Sequence, residues 1–472
     1  MERWRSWGMG RRPIEIWRAA ILVLLATLLG SFLAAQQTAP RPSQAGLLAS
    51  TPEPVYSSDA NDSWNRIFYF LFSRRIETRV SEEFPEGAPF VDGVSTRTFE
   101  RNEVGDRAID PLYPSQIVDT GRRLVLTEPG YSGFTKALHE ALNESVPRST
   151  VARALMQSDL WGAHDILFVP FPAADEKELG ERRLATLDLI SRLMRKVALT
   201  PGEIESLPNN YSAAVQRHSF PDVFGKDGGW IEVSWFHPRA HDSVAGFRRT
   251  SRVFLKPTQV QSDMREFLAG LPERAESDPI GGLDGVALLT QLLLIDTEGK
   301  LHPTTVTSEV QVRMFENIGH RRSKPNDGRF KTNDGTLKRT SLEVCEISRK
   351  LFVREPESGG LIPEDDGMPA YDQGYGFAEG QGVNQGANGE ILVETPIQVR
   401  LRTRCAECHG DTLTQVNTFA IARPPRDAPP VRQLNPAANE TANFVITEKK
   451  KRRDFEALRT HFNGAESAAT RQ

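Results

Sequence analysis

The sequence predicts a mixed α+β fold, with a mainly helical first half and antiparallel sheet elements in the second half. Apolar residues recur at three- and four-residue spacing between Glu181 and Ala198, as they do on one face of a helix. Apolar and polar residues alternate from Ile231 to Trp235, which is typical of a half-buried strand. The composition, 39% hydrophobic and 25% charged over 472 residues, is that of an ordinary globular protein.

The charge balance and the cysteine content exclude several classes of protein. The chain has 58 Lys and Arg against 62 Asp and Glu, a formal net charge of −4. Nucleic-acid-binding proteins usually present a strong positive field, so no nucleic-acid partner is expected. Three cysteines are too few for a disulfide scaffold. The body also carries no serine–histidine–acid, P-loop or metalloprotease motif.

Residues 1–35 have the three-part order of a secretory signal. Several arginines precede the uncharged apolar run 19–35, and polar residues follow it. The run is near the lower length limit for crossing a bilayer, so it fits both a cleaved signal and a retained N-terminal anchor. In either case we expect the body of the protein outside the cytoplasm, in the periplasm, with residues 19–35 as a membrane tether if they are retained.

The segment after the signal leads into the folded body. Residues 36–62 are rich in Pro, Ser, Ala and Gln, which predicts a flexible linker. The apolar stretch Asn65–Ser73 then opens an α+β body that spans 63–395. Ser149 is placed to cap a helix that runs through Leu160.

Strand signals follow in the second half of the body. The segment Arg252–Leu255 and the continuous apolar run Val286–Ile295 each predict a strand, and the turn Thr297–Lys300 ends the second one. Alternation over Val310–Met314 predicts a further strand. Cys345 is interpreted as a small buried hydrophobic residue.

Residues 405–409 read Cys-Ala-Glu-Cys-His, which is the attachment motif of c-type haem. Two thiols three residues apart lie on neighbouring positions of a helical turn, where each can add to one haem vinyl group. The adjacent His409 can then ligate the iron from one face. Two rival interpretations use the same residues. A zinc site would need a further ligand pair that the sequence lacks, and a thiol–disulfide redox pair would need a helix N-terminus after a strand.

Cys405, Cys408, His409 and the following Gly410 resemble the haem site of c-type cytochromes. The resemblance implies one covalent haem c, with Cys405 and Cys408 as thioethers and His409 as the proximal ligand. Small electron-carrying cytochromes place the motif near the N-terminus and supply a later methionine, whereas no methionine follows Met368 in this sequence. The late position is similar to class II cytochromes and cytochrome P460-like proteins, which often leave the iron five-coordinate. The layout also looks like large extracytoplasmic bacterial proteins with a terminal haem motif.

His461 is the candidate for the second axial ligand of the iron. It is the only histidine after the motif in this sequence, and on a helix it borders a face formed by Phe455, Leu458 and Phe462. The alternative is a partly buried histidine packed beside that face.

The other histidines are weaker metal-ligand candidates. His164 lies on an apolar helical face, where a core histidine is the favoured interpretation. His237 and His241 are four residues apart, but Pro238 disrupts the helical pairing that would bring them together.

The segment Lys449–Arg453 is a run of five cations in the tail after the motif. A solvated helix face is the favoured interpretation. The alternatives are pairing with haem propionates, docking of an acidic redox partner, or contact with anionic lipid. The tail is expected to wrap back on the larger body.

These features predict an exported monohaem c-type cytochrome-like protein that acts in extracytoplasmic electron transfer, with its haem segment at 396–472. The redox partner is unknown, and an acidic one would suit the cation run. Two alternatives stay open: a haem enzyme whose five-coordinate iron acts on peroxide or a small nitrogen compound, and a haem-based sensor or binding module. Whether the protein is an enzyme is therefore left undecided by the sequence.

Overall fold

The computed structural model describes part of the chain, in the following ranges: 54–83, 98–108, 123–233 apart from 148, 172, 219 and 226, 247–259, 282–317, 329–331, 337–363, 383–385, 391–393 and 442–463. The predicted signal 1–35 and the motif at 405–409 lie outside these residues.

Helices fill most of the described residues between 63 and 218 and return at the C-terminal end. They are α1 Ser63–Phe72, α2 Gly130–Asn143, α3 Thr150–Phe168, α4 Ala173–Val197, α5 Pro201–Glu205, α6 Asn210–His218, α7 Arg349–Arg354, α8 Ala442–Lys450 and α9 Arg453–Asn463. The predicted helices around Leu160 and from Glu181 to Ala198 are therefore confirmed as α3 and α4.

The strands form two sheets. They are β1 Ser73–Glu83, β2 Thr98–Ala108, β3 Ile231–Glu232, β4 Arg249–Pro257, β5 Leu283–Ile295, β6 Leu301–Asn317, β7 Arg329–Lys331, β8 Leu337–Ile347, β9 Leu361–Pro363, β10 Val383–Gln385 and β11 Ile391–Val393. The larger sheet has the order β3-β4-β5-β6-β8-β7, with β9 paired to β8, and these described strands all pair antiparallel. The smaller has the order β10-β11-β1-β2, and its β1–β11 pairing is parallel.

The predicted α+β class holds, and the antiparallel sheet lies in the second half as expected. The division into a helical half and a sheet half is less sharp than predicted. The strands β1 and β2 fall in the first half, where they pair antiparallel along their whole length. The other neighbour of β1 in that small sheet is β11, more than three hundred residues later in the chain, and β10 pairs with β11 at the edge.

Local capping explains where two of the helices begin. The Ser149 hydroxyl accepts a hydrogen bond from the backbone N–H of Ala152 at 3.2 Å, as predicted for the start of α3. At the start of α5, Thr200 and Glu203 form a reciprocal capping box. The backbone N–H of Thr200 bonds the Glu203 carboxylate and lowers the pKa of that group below its usual value.

The hairpin between β5 and β6 is held by one buried carboxylate. The Asp296 Oδ1 atom accepts hydrogen bonds from the backbone N–H groups of Glu298 and Lys300, both at 2.8 Å. Its Oδ2 atom lies 2.7 Å from Nε2 of His302. Gly299 supplies the left-handed backbone conformation that the turn requires, with φ of +78°. The turn predicted at 297–300 is thus confirmed.

Two hydrophobic clusters build the body on either side of α3. The first lies among the helices and joins residues of α1, α2, α3, α4 and α9; Trp161, Ile190 and Leu458 are among them. The second lies between α3, α5 and α6 and one face of the larger sheet, and contains Leu155 and Tyr211. Both hydrophobic clusters therefore include residues of α3, which is buried along most of its length.

The described end of the predicted linker is packed on the body and not extended into solvent. Val55 is buried, and the backbone N–H groups of Val55 and Tyr56 donate to Oδ1 of Asn65 at 2.9 and 2.7 Å. The Tyr56 hydroxyl reaches α3 and bonds Asp159. The linker prediction therefore does not hold for residues 54–62, because the side chain of one buried asparagine orders the backbone there.

Candidate functional site

The residues of the predicted haem motif, Cys405, Cys408 and His409, lie outside the described part of the chain, as do His237 and His241. The structure describes the elements on either side of the motif. The segment 394–441 follows β11, which is paired to β1, and it leads into α8. Both ends of this segment therefore join elements of the folded body.

The two C-terminal helices pack into the core of the helical layer. Phe455, Leu458 and Phe462 of α9 are buried, which confirms the apolar face predicted from their spacing. Val445 of α8 belongs to the same cluster, and the ring of Phe455 lies 6.2 Å from that of Trp161. The expected return of the tail to the body is therefore seen in the structure.

Lys449 corrects the prediction that the cation run is a solvated face. Its side chain is 0% exposed, while residues 450–453 are exposed. The Nζ atom lies 2.7 Å from Oδ2 of Asp165 on α3 and 3.2 Å from Oδ2 of Asp454 on α9. It also lies 5.1 Å from the ring centre of Trp161. A buried ammonium is tolerable here because two carboxylates and an aromatic face surround it.

Asp165 is the acidic centre of this cluster. Its carboxylate lies 3.3 Å from Nε of Arg248, in addition to its bond with Lys449. Burial alone would raise the pKa of Asp165, but the Lys449 ammonium and its other neighbours hold the pKa well below its usual value. Asp165 is thus ionised at neutral pH. Its carboxylate links α3 to α8 through Lys449 and to the start of β4 through Arg248.

His164 is a core histidine, as its apolar surroundings in the sequence indicated. It is buried, and its ring stacks on Phe168 with the centroids 6.0 Å apart. Its Nδ1 atom lies 3.8 Å from Oδ1 of Asp165, which is beyond hydrogen-bond length.

His461 faces the body near α4. Its Nδ1 atom lies 3.6 Å from Oδ1 of Asp188, and its backbone carbonyl accepts a hydrogen bond from Nη1 of Arg195 at 3.3 Å. The side chain is 32% exposed, so it borders the apolar face of α9 as expected. Its role as an iron ligand stays a prediction, because the motif lies outside the described residues.

Cys345 is confirmed as a buried small residue of the sheet. It lies on β8 opposite Val310 of β6 and belongs to the cluster between the sheet and the helices. Because Cys345 is buried, its thiol is shielded from reagents in the solvent. The predicted haem motif uses the two other cysteines, Cys405 and Cys408.

A second buried polar cluster ties the N-terminal end of the described chain to α3 and α7. The Tyr56 hydroxyl bonds Asp159, and Nε of Arg349 donates to both carboxylate oxygens of Asp159 at 2.9 and 3.1 Å. Burial raises the pKa of Tyr56 well above its usual value, and the adjacent Asp159 adds to the effect. Tyr56 therefore stays protonated, and the cluster holds the N-terminal end of the described chain against α3 and α7.

The buried charges were not predicted from the sequence, although the spacing of Lys449 from apolar residues of the same helix indicates its burial. Ala442, Val445 and Lys449 recur at helical spacing, so the lysine falls on the buried face of α8. Among the residues that the structure describes, no group of three His, Cys, Asp or Glu side chains could hold a metal ion. No helix within those residues is long and apolar enough to cross a membrane.

Comparisons of the chain with protein-family models, with curated proteins and with solved structures found no match. The function is therefore inferred from the residues of this chain alone.

Proposed function

We propose that the chain is an exported c-type cytochrome-like protein that carries one covalent haem and transfers electrons outside the cytoplasm. The observation that carries the proposal is the sequence Cys-Ala-Glu-Cys-His at 405–409, in a chain whose first 35 residues have the order of a secretory signal. Cys405 and Cys408 form the thioethers, and His409 is the proximal ligand.

The donor set fits this group chemically. Two thiols and one imidazole within five residues supply both covalent attachment and one axial nitrogen. When bound, haem supplies a one-electron iron couple. The chain's own residues contribute ligation, burial and hydrogen bonding, which set the potential and the access of solvent.

The exposed cations of the C-terminal hairpin suit an acidic redox partner. Residues 450–453 point to solvent at the junction of α8 and α9, whereas Lys449 is neutralised inside the protein. Lys451 is paired with Glu448 and Arg452 with Asp454, so Lys450 and Arg453 carry most of the outward charge. Opposite surface charges steer encounter and raise the association rate at low ionic strength.

The test is production of the full chain in a host that matures c-type cytochromes. We expect a mass increase of one haem and the c-type band in a pyridine haemochrome spectrum. The double variant Cys405→Ser/Cys408→Ser should lose both signals, and Cys345→Ser should retain them. A colourless wild-type product, or one whose two motif thiols are bridged to each other, would refute the proposal.

One observation favours the alternative with five-coordinate iron. His461, the candidate distal ligand, lies beside Asp188 of α4 and presents its Nδ1 atom to that carboxylate at 3.6 Å. In this alternative the oxidised protein gives a high-spin spectrum, changes it with peroxide or a small nitrogen compound, and is unaffected by His461→Ala. A low-spin spectrum that His461→Ala converts to high-spin would support His461 ligation and electron transfer. Rapid CO or NO binding without turnover would favour a sensor.

A further inference from the structure

One face of α3 carries three buried polar atoms that have no hydrogen-bond partner within the described residues. They are Nε1 of Trp161, Nδ1 of His164 and Oδ1 of Asp165. These residues occupy positions i, i+3 and i+4 of the helix, so they share one face, and Lys449 of α8 contacts that face. A buried polar atom without a partner loses its hydration and gains nothing in return, so such atoms are rare and call for a physical explanation.

The charged groups around this face approach other atoms. Nζ of Lys449 and Nε of Arg248 lie 2.7 and 3.3 Å from Oδ2 of Asp165, so both cations approach the same carboxylate oxygen. Asp454 of α9 is bonded by Lys449 at 3.2 Å and also attracts the Arg248 guanidinium. The second oxygen of Asp165, Oδ1, lies on the side of His164.

The distance between His164 and Asp165 suits a bridging molecule. Nδ1 of His164 lies 3.8 Å from Oδ1 of Asp165, which is too far for a direct hydrogen bond and a common separation for two groups that share one water. The hydrogen-bonding types match as well. The ionised carboxylate of Asp165 only accepts, the indole N–H of Trp161 only donates, and Nδ1 of His164 can do either. One water molecule can satisfy all three atoms, and about three hydrogen bonds are usual for a buried water.

We propose that Trp161, His164 and Asp165 form a buried binding site for one water molecule at the contact between α3 and the C-terminal helices. The water accepts a hydrogen bond from the Trp161 N–H, donates one to Oδ1 of Asp165 and bonds Nδ1 of His164. Through Asp165 it joins His164 to Lys449 and so to the ionised cluster that holds α8 on α3. A buried polar cluster favours one defined structure only when its members are all satisfied, and this water completes the set. The site does not depend on the proposed function.

The first test is NMR of the full wild-type chain with isotope-labelled tryptophan side chains. The variant Trp161→Phe identifies the indole signal of Trp161, because that signal is absent from its spectrum. We expect a cross-peak between this N–H and water, with the sign that a bound molecule gives and bulk solvent does not. An indole signal from the folded chain without such a cross-peak would overturn the site.

The variant His164→Phe provides the second test, with Thr186→Val as its control. Phenylalanine keeps the ring stack on Phe168 and removes Nδ1, so the water cross-peak of Trp161 should be lost while the circular dichroism stays that of wild type. Thr186 on α4 has a buried hydroxyl with no hydrogen-bond partner in the described part of the chain, and its replacement by valine should leave the cross-peak unchanged. Loss of the cross-peak in both variants, or in neither, would refute the site. If His164→Phe does not fold, the wild-type spectrum decides.

A crystal structure of the full chain gives an independent result. We expect one solvent peak at about 2.7–3.2 Å from each of the three atoms of Trp161, His164 and Asp165. A direct hydrogen bond between His164 and Asp165, with no solvent peak beside it, would overturn the site. A colourless product from a maturation-competent host that shows the water cross-peak would refute the haem proposal and support the water site. A haem-loaded protein without the cross-peak would do the reverse.

Discussion

Removal of Arg252 tests whether the larger sheet depends on a buried ion pair. The Nε and Nη2 atoms of Arg252 donate to the two carboxylate oxygens of Glu232 at 2.8 and 2.7 Å, and both side chains are almost completely buried. The guanidinium also lies 4.7 Å from the ring centre of Phe224. Arg252→Met keeps much of the aliphatic packing but leaves the Glu232 carboxylate without this partner.

The expected loss in the free energy of unfolding follows from that geometry. Breaking a buried ion pair by removing one partner costs about 3–5 kcal/mol, since the remaining charge stays desolvated. The double variant Arg252→Met/Glu232→Met replaces both charges with apolar groups of similar size. It should be destabilised by much less than Arg252→Met alone, because no unpaired charge remains.

Urea unfolding followed by circular dichroism measures both values, from the shift in the midpoint at constant slope. Arg453→Met, an arginine that is exposed at the start of α9, is the control and should stay within about 0.5 kcal/mol of wild type. A loss below about 1 kcal/mol for Arg252→Met, or a double variant as unstable as the sum of the singles, would contradict the argument.

Three further predictions concern other buried groups. Leu458→Ala should cost about 2–5 kcal/mol in urea unfolding because the side chain is wholly buried, whereas Glu456→Ala on the exposed face should cost about 0.5 kcal/mol or less. Asn210→Ala removes three buried hydrogen bonds, two of them to Thr307, and should cost about 2–4 kcal/mol by the same assay. The folded-state pKa of Asp165 lies below its unfolded value, so its contribution is present above about pH 4 and is lost as the pH falls further. Midpoints measured at decreasing pH should decline less steeply for Asp165→Asn, and an unchanged slope would contradict this assignment.

The elements that could be predicted from the sequence are those whose signals are local. The run Val286–Ile295 is apolar apart from Thr290 and Gln291, in keeping with a strand that is buried along this whole length, and the turn that follows carries its own glycine and the acidic Asp296. The start of α3 was likewise visible in Ser149, since the cap bonds an amide three residues away. These features needed no knowledge of distant partners.

The buried charges could not be predicted in the same way, because their partners are far apart in the chain. Lys449 bonds Asp165, 284 residues earlier, and Arg349 bonds Asp159, 190 residues earlier. A lysine within a run of cations is normally solvated, and only its spacing from Val445 placed it on a buried face. The pairing of β1 with β11 could not be predicted either, because the two strands are far apart in the sequence.

The position of the C-terminal helices bears on how the protein is divided. The predicted haem segment, 396–472, includes the two C-terminal helices α8 and α9. Leu458 and Phe455 of α9 lie in the same hydrophobic cluster as Trp161 and Ile190, which are core residues of α3 and α4. The C-terminal helices therefore share the core of the helical layer with α3 and α4, far from them in the chain.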